Sequence, residues 1–203
     1  MPSTPRTTWT APRPRTHRRT PGPLTRVGRV GVLVLAFALS LWAWFALTKI
    51  YLPRLDPIPA DVDVLMQVGG AAPADVTEAR RLAQEHGIAD LVISDPTGVP
   101  GFRDSWCAPL PGVRVHCFAP DPSTTRGEAR EFARLAAENH WTSAMVLATG
   151  REHVERVRLY FGRCWDGELS VNRPASTRAP LVHLKQAGYQ TGGWARALTT
   201  LDC

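Results

Sequence analysis

The chain has 203 residues and a formal charge of +6, with 24 basic and 18 acidic side chains, but the excess sits at one end. Residues 1–54 carry eight Arg and one Lys with no Asp or Glu, whereas from Leu55 onward fifteen basic residues face eighteen acidic ones. That balance confines the high pI to the N-terminal tail and excludes a uniformly basic, nucleic-acid-binding domain.

The tail, 1–29, is rich in Pro, Thr and Arg and poor in apolar residues. It reads as a disordered topology determinant rather than as an arm for nucleic acid or anionic lipid. The uncharged run 30–48, VGVLVLAFALSLWAWFALT, has 19 residues, close to the roughly 20 that a bilayer-spanning helix needs. A cleavable signal peptide would have a shorter apolar core and an A-x-A-like site, and neither follows Phe45. Residues 30–51 therefore read as a retained transmembrane signal anchor. Arg6, Arg13, Arg15, Arg18, Arg19, Arg26 and Arg29 precede the span, against only Lys49 and Arg54 just after it. The positive-inside bias then predicts a cytoplasmic N-terminus and an extracytoplasmic domain in the cell membrane. Trp42, Trp44 and Tyr51 mark the outer interface, where amphipathic aromatics settle among headgroups.

Pro53, Pro57 and Pro59 make 52–60 a short, stiff stalk. All four cysteines, Cys107, Cys117, Cys164 and Cys203, follow the span, and an even count in an oxidising compartment suggests two disulfides. Four cysteines allow three pairings. The favoured one joins Cys107 to Cys117 across a short loop and Cys164 to Cys203, tying the last helix to the body. There is no C-x-x-C, and neither a redox nor a zinc site is expected.

The remainder, 61–203, is long enough for one domain with a real core. Val62–Val68 is an apolar strand closed by Gly69-Gly70, and a helix follows over Asp75–His86. Leu91–Ser94 and Val113–Phe118 are further strands, separated by the Pro/Gly-rich segment 96–112. Thr125–His140 is a helix with Ala129, Phe132, Ala133 and Ala136 on one stripe. Ser143–Ala148 is a strand, Glu152–Cys164 a helix, Leu169–Val171 a short strand and Pro180–Leu198 a last helix, loosened at Gly188 and Gly192-Gly193. Strands alternating with helices predict an α/β, three-layer, Rossmann-like sandwich with a mostly parallel sheet of about five strands.

In such sheets ligands bind outside the carboxyl ends of the strands. That rule selects Gly69 and Gly70, Ser94 and Asp95, Ser123–Glu128 and Thr149–Arg156. Thr125-x-x-Glu128 matches a capping box, which would make Thr125 the cap and turn Glu128 back on the backbone. Helix N-termini carry unpaired N–H groups and partial positive charge, so Arg126, Arg151 and Arg156 nearby would favour a phosphate or carboxylate. The competing reading pairs these arginines with Glu128, Glu152 and Glu155 as surface ion pairs. His153 and Arg156 are three apart and share a helix face. His153 reads either as a general acid or base with Glu128 as its partner or as a solvated capping residue. No H-E-x-x-H, G-x-S-x-G or G-x-G-x-x-G pattern occurs, so no metal, no cofactor and no serine hydrolase are expected.

The Gly69-Gly70 pair after the first strand, Pro122-Ser123-Thr124-Thr125-Arg126-Gly127-Glu128-Ala129 before a helix, and Thr149-x-x-x-His153-x-x-Arg156 after the next strand resemble the YdcF/SanA/ElyC-like family. The likeness covers 61–164, and more loosely the rest. It implies an envelope-associated α/β domain with links to peptidoglycan or lipid-carrier metabolism and a nucleotide-like ligand. Carried over position by position, it points to Gly69, Gly70, Ser123, Thr125, Glu128, Thr149, His153 and Arg156. This chain departs from it at Ser94-Asp95-Pro96, where the family has Ser-Gly-Gly, and in 96–112, where a helix would stand.

Two functions follow as expectations. In one, Arg126, Arg151 and Arg156 bind an anionic, phosphorylated envelope metabolite, lipid-linked or nucleotide-like, while Glu128 and His153 transfer protons. In the other, the same domain is a non-catalytic docking factor for cell-wall synthesis proteins.

Overall fold

The computed structural model describes residues 23–98, 101–174 and 180–203, so most of the basic tail lies outside the described residues. Helix α1, Pro23–Ala46, runs into a wide helical turn, Leu47–Tyr51. The stretch Arg26–Tyr51 is long and apolar enough to cross a membrane, and Val30, Leu33 and Phe37 on it are exposed. The helix up to Leu41 forms one compact unit and Trp42–Cys203 the other.

Five strands make the sheet: β1 Val64–Gln67, β2 Asp90–Ser94, β3 Arg114–Phe118, β4 Ser143–Leu147 and β5 Glu168–Asn172. All are parallel, in the order β3-β2-β1-β4-β5. Parallel sheets are covered on both faces, and their inner strands are apolar throughout. β1 and β2 are buried at every position. Side chains alternate between the faces. Val64, Met66, Val92 and Val146 pack on one side with Ala129, Phe132 and Ala136 of α4 (Thr125–Asn139) and Val154, Val157 and Phe161 of α5 (Val154–Cys164). Leu65, Leu91, Ile93 and Met145 pack on the other with Val76, Ala79, Leu82 and Ala83 of α2 (Pro73–Glu85). The expected three layers are therefore present. Phe132 anchors the first layer, with Trp165 edge-on at 5.2 Å and Phe161 tilted at 5.4 Å. Its truncation to Ala would cost about 3–5 kcal/mol.

Several local details differ from the sequence reading. A short helix, α3 (Phe102–Trp106), forms within the Pro/Gly-rich segment. The helix expected from Glu152 opens with a tight 3₁₀ turn, Arg151–His153, before α5. The last helix, α6, agrees with the expectation to within one residue and spans Pro180–Thr199.

Residues 52–60 do not hang free as a spacer. Asp56 is buried; its N–H donates to the Val171 carbonyl at 3.0 Å and its Oδ2 accepts the Val171 N–H at 2.9 Å. Arg158 donates to its carboxylate as well as to the Arg54 carbonyl. Just before this strap, Ala46 and Ile50 are buried, Phe45 lies edge-on to Trp194 at 5.4 Å, and Lys49 Nζ is 3.3 Å from Glu155. Disulfides join Cys107 to Cys117 and Cys164 to Cys203. The second clasps the chain's last residues to the end of α5, where Arg130 donates to the Cys203 carbonyl and Arg163 to the Ala197 and Thr200 carbonyls.

Candidate functional site

The strand order decides where a site can form. After β3, at one edge of the sheet, the chain crosses through α4 to β4, on the far side of β1. The loops leaving β1 and β4 therefore diverge and open a crevice at their carboxyl ends. A cleft of about 430 Å³ lies there, within the size range of small-ligand sites. Its lining includes Gly69, Gly70, Ser123, Thr125, Glu128, Thr149, His153 and Arg156.

Gly69 is where β1 meets this cleft. A Cβ at that position would collide with the Pro96 ring and lie 2.8 Å from Glu128 Oε1. The bare backbone instead brings the Gly69 N–H to Glu128 Oε1 at 2.6 Å. Gly70 turns away at φ +76°, a conformation side chains rarely adopt.

The capping-box reading is overturned by one residue of register. Thr124 caps α4, its hydroxyl accepting the Gly127 N–H at 3.2 Å. Thr125, one step on, turns its hydroxyl to His153 Nε2 at 3.0 Å. Glu128 reaches across to Gly69 rather than back to its own helix start. Both residues are thereby turned toward the crevice. Ser123 lines it too, its hydroxyl donating to the Pro96 carbonyl at 3.2 Å.

Glu128 is fully inside the protein, and burial pushes its carboxyl above the ordinary 4.5. The Ser94 hydroxyl, the Gly69 N–H and the Arg156 charge pull the other way and are outweighed. A carboxyl so placed holds its proton further toward neutrality than a surface one, as a general acid must. His153 is buried rather than solvated. Thr125 meets its Nε2, and Thr149 its Nδ1 at 3.1 Å. A hydroxyl both donates and accepts, so this pair can follow a proton onto or off either ring nitrogen.

Arg156 sits one turn beyond His153 and is only 8% exposed. Its guanidinium lies 5.4 Å from the centre of the Tyr189 ring on α6, within cation–π range. It presses so closely on Gly193 that a Cβ there would overlap it. The Nε has no hydrogen-bond partner among the described residues, and neither does the buried Oε1 of Gln190 in the same cleft. Buried polar atoms left without partners are rare in folded proteins, and at a cleft they are what a ligand would satisfy.

The other two arginines go elsewhere. Arg126 lines an adjoining cavity and pairs with Asp202 at 3.2 Å. Arg151 donates to the Tyr51 carbonyl at 3.3 Å and lines neither cavity. Glu155 serves the strap, receiving the Arg54 N–H at 3.0 Å. Among the described residues no group of three or more His, Cys, Asp or Glu is placed to hold a metal. The sequence reading missed the wall from α6: Tyr189, Gln190 and Gly193. Its one local signal was the Gly192-Gly193 pair inside a helix, where a small residue admits another side chain. No protein-family model matches the chain, and no curated protein matches it.

Proposed function

We propose that this chain is a membrane-anchored, extracytoplasmic α/β protein of the YdcF/SanA/ElyC-like kind that binds and processes an anionic, phosphorylated envelope metabolite. The observation that carries the reading is Arg156: a buried cation whose Nε has no partner among the described residues, in one cleft with a buried acid and an imidazole. A guanidinium favours phosphate and carboxylate oxygens, and the start of α4 adds the partial positive charge of a helix N-terminus. Within this reading Arg156 holds the anion, Glu128 donates a proton to the group that leaves, and His153, braced by Thr125 and Thr149, takes one from the group that attacks. The eight positions carried over from the family resemblance all line this cleft, which supports membership of that kind. The basic residues before α1 support the cytoplasmic placement of the N-terminus.

The test is a thermal-shift screen of the full chain in detergent against phosphorylated headgroups, nucleotides, cell-wall precursors and inorganic phosphate, with Arg156→Gln beside it. A ligand that binds only the folded state raises Tm. The reading expects at least one phosphorylated compound to stabilise the parent and not the variant. It is abandoned if no anion shifts either protein.

A further inference from the structure

Beside the cleft lies a second cavity of about 420 Å³ at the α4–α6 junction. The two share Ser123, Thr124, Thr125, Arg156 and Tyr189, so they adjoin across the Arg156 guanidinium. Their chemistry differs. Glu128 and His153 line the inner cleft alone. The outer cavity adds Arg126 and Arg196, and among the described residues no carboxylate or imidazole lines it. Asp202, outside that lining, offsets Arg126 in part, but it is 66% exposed and its bonds to Arg126, at 3.2 and 3.3 Å, are long. An anion entering the cavity competes with it on favourable terms. Arg196 is exposed and makes no ion pair among the described residues. Tyr189, 67% exposed, stands over Arg156 at the boundary.

Resting on the proposed function, we infer that the outer cavity is a second anion subsite and that the ligand carries two linked phosphoryl groups, as a diphosphate does. One phosphoryl lies by Glu128 and His153. The other lies on Arg126 and Arg196, and Arg156 spans the two. The guanidinium that reaches both cavities is more than nine-tenths buried, and its Nε has no partner among the described residues. A lone phosphate would occupy one cavity and leave the cationic half of the site unused. A diphosphate engages both, and each added charge-assisted bond strengthens binding.

The test is calorimetric titration of the full chain in nanodiscs with inorganic phosphate and inorganic pyrophosphate, repeated with Arg196→Gln. Arg196 is exposed, so the substitution leaves the fold intact. The expected result is pyrophosphate binding about tenfold or more tighter than phosphate, with that preference falling about tenfold in Arg196→Gln. Equal affinities, or a preference that Arg196→Gln does not change, overturn the inference and leave the phosphate site standing. Failure of both anions to bind overturns the proposed function together with this inference. A nucleoside diphosphate and a short-chain alkyl diphosphate serve as two further arms. A preference for either one upholds the two-part ligand and names its source.

Discussion

The two ends of the sheet treat buried polar groups in opposite ways. At the amino end, Asp90 opens β2 and is bonded by Arg114 at 2.6 Å, His116 Nε2 at 2.7 Å and the Trp141 indole N–H at 3.2 Å. Burial pushes this carboxyl up, but the three partners outweigh it and hold it below the ordinary 3.8. Asp63 is similar: the Thr142 and Ser143 N–H groups hold its carboxyl low. At the carboxyl end, burial raises Glu128, and Arg156 Nε has no partner among the described residues. Charges satisfied at one end and under-satisfied at the other put stability in the first and, on the proposed function, ligand chemistry in the second.

The largest expected effect is at the stable end. Asp90→Ala strands the buried Trp141 N–H and removes the anchor of Arg114 and His116, and should cost about 3 kcal/mol, read by denaturant melts. Ligand affinity should hold, because none of these groups lines the cleft. A matching loss of binding would erase the contrast between the two ends. Next is Arg156→Gln. It should weaken phosphate binding by roughly 2 kcal/mol, near thirtyfold, while lowering stability far less than Asp90→Ala does. Comparable loss of stability in the two variants would make Arg156 a structural residue.

A pH series sharpens the comparison through its sign. Because the folded value of Glu128 is raised, its contribution is fully present below the ordinary 4.5 and is lost as pH rises through the folded value. Glu128→Gln should therefore match the parent in Tm near pH 4 and exceed it near pH 8. Asp90, whose folded value is lowered, runs the other way. Its contribution is present above 3.8 and disappears as pH falls through the folded value, so the cost of Asp90→Asn should shrink in acid. The smallest expected effect belongs to the rim. Asp202→Asn removes an exposed pair worth at most about 1 kcal/mol, leaving stability unchanged and raising diphosphate affinity a few-fold.

Much of this contrast was legible in the sequence, and the illegible parts share a cause. Apolar runs ending in turn residues gave β1 and β4, the 3.6-residue stripe of Ala129, Phe132 and Ala136 gave α4, and the strand–helix alternation gave parallel layers. Gly69, Ser123, Glu128, Thr149 and His153 could be selected because each follows a strand end. The capping-box spacing to Glu128 favours Thr125 as the cap, and Thr124 is the cap instead. Adjacent threonines have the same local chemistry, and only the packing of His153 against α4 separates them. Tyr189 and Gln190 were invisible because they reach the cleft from α6, far along the chain, through contacts with no local pattern. Asp56 hid in a Pro-rich segment whose composition reads as a spacer, whereas its hydrogen bonds are to β5. Arg151 was selected by position alone, and the 3₁₀ turn aims it toward Tyr51 instead.

The most direct measurement is calorimetric titration of inorganic phosphate into the full chain and its Arg156→Gln variant at neutral pH, with circular dichroism recorded on both. The account predicts saturable binding to the parent, at least tenfold weaker binding to the variant, and identical spectra. Equal binding to both, or none to the parent, would contradict it.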